Sequence, residues 1–217
     1  MKHFILLAAV LAVGLLSSCN IASVVHYVTS SDPSQTAMCE LPDVRTVVFV
    51  DDRRNVMHPT RLRRLLADKI TDDLLQNDTL LTMVSPRDIL RVSSTGDRYG
   101  NPIPINELAA LVDAEVIIYV ELTGFALTSD GHTAKPIANC NVKVINAKKR
   151  ERMFPLSGNS YPVQAVVTNI APSRLVGSGE VRKLSEELAV NLGDAVAKLF
   201  YEHYTGRLGD NIEPRRQ

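Results

Sequence analysis

The run Val44-Arg45-Thr46-Val47-Val48-Phe49-Val50 constrains this chain more than any other stretch. It is rich in β-branched residues and apolar almost without interruption, so it has no polar face to turn toward water. A strand of that kind suits the covered sheet of an α/β protein. It ends at Asp51-Asp52-Arg53-Arg54-Asn55. The end of such a strand is where an α/β enzyme places chemistry, so the carboxylate pair is a candidate site. The competing reading is a solvated loop whose charges compensate one another.

The segments that follow can supply cover. Pro59 is a good first helical residue, and Leu62, Leu65, Leu66, Ile70 and Leu74 recur after it at helical spacing. The pattern predicts an amphipathic helix of about 16 residues. Its basic cluster Arg61, Arg63 and Arg64 suits either phosphate or anionic lipid, or simply a wet face. Leu80 to Val84 reads as a short strand, and Ser85-Pro86 as the start of a helix to about Arg91. Residues 93–104, with Gly96, Gly100, Pro102 and Pro104, read as an exposed loop, and Asn106 as the cap of a helix through Val112.

The second half changes character. Glu115 to Thr128 is the most strand-like stretch, Ser129-Asp130-Gly131 is a turn signal, and Ile137 to Ile145 alternates polar with apolar. Asn146 to Arg152 is a polar turn, Tyr161 to Thr168 one further strand, and Ile170 to Gly179 a loop. A long helix from about Glu180 to His203 closes the domain, with Leu184, Leu188, Leu192, Val196 and Leu199 in its apolar stripe and Gly193 as a local weakness. The expected fold is α/β: a two-layer sandwich with a mixed sheet in the order β-α-β-α-β-β-β-α.

The first residues carry a different message. Met1-Lys2-His3 is positive, Phe4 to Leu16 is an uncharged apolar run of 13 residues, and Leu16-Ser17-Ser18-Cys19 closes it. These are the marks of an export signal. As a helix the run reaches about 20 Å, short of the roughly 30 Å hydrocarbon core, which argues against a permanent span. Leu16-Ser17-Ser18-Cys19 resembles the lipobox of bacterial lipoproteins. The resemblance implies cleavage before Cys19 and lipidation of that cysteine with more than one acyl chain, palmitate among them, which gives a durable tether. Asn20 is not the aspartate that holds such lipoproteins at the inner membrane, which points to the outer membrane, facing the periplasm.

The chain then divides into a signal peptide (1–18), a lipidated N-terminus and tether (19–40), one α/β domain (41–205) and a flexible tail (206–217). Lys+Arg and Asp+Glu number 24 each, so no global field draws the protein to nucleic acid. With Cys19 lipidated, Cys39 and Cys140 are an even remainder in an oxidising compartment, where a disulfide can persist. The alternative is two buried apolar thiols.

Val112-Asp113-Ala114-Glu115, ahead of the third strand, and the turn Asn146-Ala147-Lys148-Lys149-Arg150 carry a second resemblance. With the element order, they resemble a group of bacterial envelope domains. The group includes the curli-secretion lipoprotein, the N-terminal domain of the Tol-system periplasmic protein, and the lipoprotein activator of penicillin-binding proteins. There a Gly-Ala-Asp precedes the third strand and an Asp-Ala-Lys-Thr-Gly turn ends the hairpin; here both motifs are altered.

No sequence constellation points to catalysis. His3, His26, His58, His132 and His203 are scattered, and no G-x-S-x-G, phosphate loop or Cys-x-x-Cys occurs. Gly177-Ser178-Gly179 lacks the strand before it and the lysine after it that a phosphate loop needs, and reads as helix entry. The expectation is a non-enzymatic accessory or docking subunit in export or envelope assembly, without cofactor or metal. Its partners would be the membrane, through Cys19, and envelope proteins or further copies of itself. The alternatives are a regulator that activates a cell-wall enzyme, or a lipid or small-solute carrier using a groove between sheet and long helix.

Overall fold

The run without a polar face forms strand β1, Thr46–Asp51, and all six of its residues are buried. The computed structural model describes residues 34–96, 102–129, 131 and 133–204. The signal, Cys19 and the segment 206–217 lie outside the described residues. The chain divides into two compact units, one of them Thr36–His203. Of the other unit the described residues are Ser34, Gln35 and Tyr204, all exposed.

In the larger unit β1 is followed by α1 (Arg61–Gln76), β2 (Met83–Val84), α2 (Pro86–Gly96), α3 (Ile105–Leu111) and β3 (Val116–Thr128). Then come β4 (Ala134–Asn146), β5 (Glu151–Phe154), β6 (Tyr161–Val166), a 3₁₀ turn (Pro172–Leu175) and α4 (Ser178–Ala197). The sheet order is β2-β1-β3-β4-β5, with β6 also on β4. β1 runs parallel to β2 and β3, while β4 is antiparallel to β3, β5 and β6. β5 pairs with Val144–Asn146 and β6 with Ile137–Val142, so the two share one edge of β4.

Side-chain parity separates two cores. Val48, Val50, Ile118, Val120, Val142 and Val144 pack with Leu62, Leu66 and Ile70 of α1 and Leu188, Leu192 and Val196 of α4. Val47, Phe49, Ile117 and Tyr119 face the other way, onto Ile89 of α2 and Leu108, Ala109 and Val112 of α3 and its end. Each such aliphatic side chain contributes about 1.5–3 kcal/mol relative to exposure. The parallel part of the sheet is therefore the middle of three layers, where the sequence pattern suggested two. β4 alternates buried with half-buried residues, as expected of a strand with one covered face.

Boundaries moved for local reasons. α2 runs five residues past Arg91 into the stretch read as loop. α4 stops at Ala197 although Leu199 and Phe200 stay buried. The Leu199 carbonyl instead accepts the Met38 and Cys39 amides at 2.8 and 3.3 Å, which ties the entry of the domain to its last helix.

Gly193 of α4 is more than a weak point in a helix. A Cβ there would lie 2.8 Å from Cγ and 3.0 Å from Cβ of Lys69, and 3.3 Å from the Leu66 carbonyl oxygen, on α1. The near end of a lysine stem and a helix backbone cannot step aside freely, so this glycine sets how closely α1 and α4 approach. Gly193→Ala therefore destabilises the protein by about 1–3 kcal/mol in urea unfolding, against a helix-propensity gain of about 1 kcal/mol. A stabilised variant would show that the two helices are free to separate.

Candidate functional site at the end of strand β1

Connections leave β1 and β2 in opposite directions. α1 carries the chain to β2 on one side of β1, and α2 with α3 carries it back to β3 on the other. Open α/β sheets bind ligands in the crevice at such a reversal, outside the carboxyl ends of the strands. A cavity of about 480 Å³ lies there, lined by Phe49 to Arg53, Thr60 and Arg63 near the start of α1, and Leu90, Ser93 and Ser94 of α2. Its size falls within the range of small-molecule sites, about 300–1,000 Å³.

The carboxylate pair stands in the lining. Asp51 Oδ2 accepts the Tyr119 hydroxyl at 2.6 Å and pairs with Arg53 Nε at 2.8 Å. Asp52 accepts the backbone N–H groups of Val56 and Met57 at 2.8 and 3.0 Å, one on each oxygen. The expected solvated loop is thus corrected. Asp51 and Asp52 are only 8% and 6% exposed. Charge compensation holds for Asp51 and Arg53, and Arg53, Arg54 and Asn55 are exposed as a solvated loop would be, but the two carboxylates are not, because Met57 is fully buried and draws the loop down over the strand end. Tyr119 is held protonated well above the ordinary tyrosine range, chiefly by burial and then by the hydrogen bond it donates to Asp51.

Tyr119 was not singled out in the sequence. It lies opposite Phe49 in the parallel pairing of β1 with β3, and that register cannot be read from either strand alone. Thr60, Ser93 and Ser94 are likewise brought in by the crossovers.

The other candidates fall elsewhere. Cys39 and Cys140 are free thiols in the structure. Cys140 is buried in the larger core and its thiol is pushed up to about 12 by that burial. Cys39 is half-buried against the same core, and burial raises its thiol too. Gly177 adopts φ +94° immediately before α4, which identifies Gly177-Ser178-Gly179 as helix entry. His58 is exposed, His203 Nδ1 lies 3.2 Å from the Tyr201 carbonyl oxygen, and His3, His26 and His132 lie outside the described residues. Among the described residues no group of three or more His, Cys, Asp or Glu side chains is placed to hold a metal ion.

No family model matches the chain, and no curated protein matches it. Solved structures overlap loosely. A dodecameric single-residue variant of PelC from Paraburkholderia phytofirmans is 7% identical, with a TM-score of 0.44 over 79% of this chain and 99% of that one. Lipoprotein GNA1162 from Neisseria meningitidis is 11% identical, at 0.37 over 65% and 98%. The LpoB C-terminal domain from Salmonella enterica is 14% identical, at 0.35 over 59% and 87%. Bacterial lipoproteins are thus among the structures this chain is similar to, at a level of overlap that assigns no function.

The Asp51 cluster is testable as a structural element. Tyr119→Phe removes one donor from a buried carboxylate and lowers stability by about 1.5–3 kcal/mol at neutral pH. Because the folded state raises the tyrosine pKa, this contribution is present below about pH 10 and fades as pH rises beyond it. Denaturant unfolding of both proteins at neutral pH and above pH 10 checks this; equal stabilities at neutral pH would assign the Asp51 charge to Arg53 alone.

Proposed function

We propose that this chain is a non-enzymatic lipoprotein of the bacterial cell envelope, held at a membrane by acylated Cys19 and acting as an accessory or docking subunit. The observation that carries the reading is Leu16-Ser17-Ser18-Cys19, following 13 uncharged apolar residues. The site chemistry supports it. A general base or a nucleophilic carboxylate must be available to a substrate, and Asp51 and Asp52 are both occupied by groups of their own fold. No helix among the described residues is long and apolar enough to cross a membrane. The outer membrane, with the domain facing the periplasm, is the location that Asn20 favours.

Docking is favoured over carriage in a groove between sheet and long helix. That space is filled: Leu188, Leu192 and Val196 of α4 are at 0% exposure against the sheet and α1. Activation of a cell-wall enzyme is one form that docking could take, and the identity of the cross-linked partner decides it.

The test uses the full chain expressed in a Gram-negative host. Wild type should enter the detergent phase and yield an N-terminal peptide beginning at a multiply acylated Cys19, while Cys19→Ala should be soluble and unmodified. An unmodified, freely soluble wild-type protein would overturn the anchoring. Cross-linking of the anchored protein should give a discrete adduct with another envelope protein or with itself; a clean monomer would overturn docking.

A further inference from the structure

We infer that the cavity at the end of β1 binds a phosphate-bearing small molecule or headgroup, with Arg63 as its principal contact. Arg63 is half-buried in the lining, and among the described residues its guanidinium has no hydrogen-bond or ion-pair partner. Its neighbours in the first turn of α1 are answered, Arg61 by Glu186 at 2.6 Å and Arg64 by Asp68 at 4.0 Å. No acidic residue stands in that turn to answer Arg63. The two carboxylates of the cavity do not do so either. Asp51 is held by Tyr119 and Arg53, and Asp52 by two backbone amides. A partly desolvated guanidinium without a hydrogen-bonded ion-pair partner is costly, and a ligand oxyanion that pairs with it removes the cost.

The rest of the lining suits a tetrahedral anion with an organic body. Thr60 precedes α1 and its side chain makes no capping hydrogen bond, so its hydroxyl is open to a ligand. The Ser93 and Ser94 hydroxyls donate to the carbonyl oxygens of Leu90 and Arg91 at 3.1 and 2.9 Å, local bonds that a charged acceptor can replace. These donors approach from two helices, which fits phosphate oxygens pointing in several directions; a planar carboxylate would be satisfied by one guanidinium fork. Phe49 and Leu90 supply the apolar wall. This inference does not depend on the anchoring or docking argued above, because it concerns binding by the folded domain.

The experiment is isothermal titration of the full-length protein in a non-ionic detergent, with phenyl phosphate and, separately, with glycerophosphoglycerol, the deacylated headgroup of an anionic phospholipid. At least one probe should bind saturably at one site. Arg63→Gln should weaken that binding about tenfold or more, and Arg63→Lys should restore part of it. Arg87→Gln, which alters an exposed arginine paired with Asp68 outside the cavity, should leave it unchanged. Tighter binding of phenyl phosphate assigns a soluble phosphate ester, and tighter binding of glycerophosphoglycerol a lipid headgroup. Should Arg63→Gln fold poorly, Ser94→Leu, which blocks the cavity from α2, must abolish binding instead. Absence of saturable binding of either probe at millimolar concentration, or an affinity untouched by the Arg63 and Ser94 variants, would overturn the assignment.

Discussion

Burial of Thr46–Asp51 on both faces is the constraint from which the rest of the larger unit follows. No residue of this strand is more than 8% exposed. Each face therefore needs its own cover: α1 and α4 on Val48 and Val50, α2 and α3 on Val47 and Phe49. Covering both faces of one strand with crossovers requires the chain to leave β1 to one side and return on the other. That requirement creates the crevice at its carboxyl end. It also places Asp51 and Asp52 where water is scarce, so both must find partners within the fold.

How much of this could be read from the sequence depends on how local the determining interaction is. The stripe of α1 and the alternation of β4 were legible because each has one buried and one wet face, and a periodic pattern records that directly. The double cover of β1 was legible as well, but the number of layers was not. The opposite cover is divided between two short helices, and Ile89, Leu108, Ala109 and Val112 are too few on either helix to announce a face. The state of the carboxylates was the least legible feature. Asp51 depends on Tyr119, 68 residues away, and Asp52 on a turn whose amides converge only because Met57 is drawn into the core. Gly193 was misjudged for the same reason: its cost is local to α4, whereas its use lies on α1.

The site combines two kinds of charge that differ in availability. Its carboxylates are engaged by groups of the fold, Asp51 through Oδ2 and Asp52 through both oxygens, whereas the Arg63 guanidinium has no such partner among the described residues. Counting residues in the lining gives a balanced cavity, with Asp51 and Asp52 against Arg53 and Arg63. Setting aside the Asp51–Arg53 pair leaves Asp52, whose charge two neutral backbone amides stabilise without cancelling, and Arg63, the cation of the lining that has no ion-pair partner among the described residues.

The turns before β3 and after β4 hold left-handed residues without glycine. Asp113 and Arg150 both adopt left-handed conformations, with φ of 54° and 58°, where a non-glycine residue costs about 1–2 kcal/mol. Local contacts offset that cost. Arg45 donates through Nε to the Asp113 carbonyl at 2.8 Å and pairs with its carboxylate at 3.3 Å, which fixes the approach to β3 beside β1. In the turn after β4, Asn146 Oδ1 accepts the Lys149 amide at 2.8 Å, a bond an aspartate at that position could equally accept. With such contacts holding the turn, its shape does not require glycine. At both turns the conformation is maintained by neighbours, so the identity of the residue there is a poor measure of the geometry it adopts.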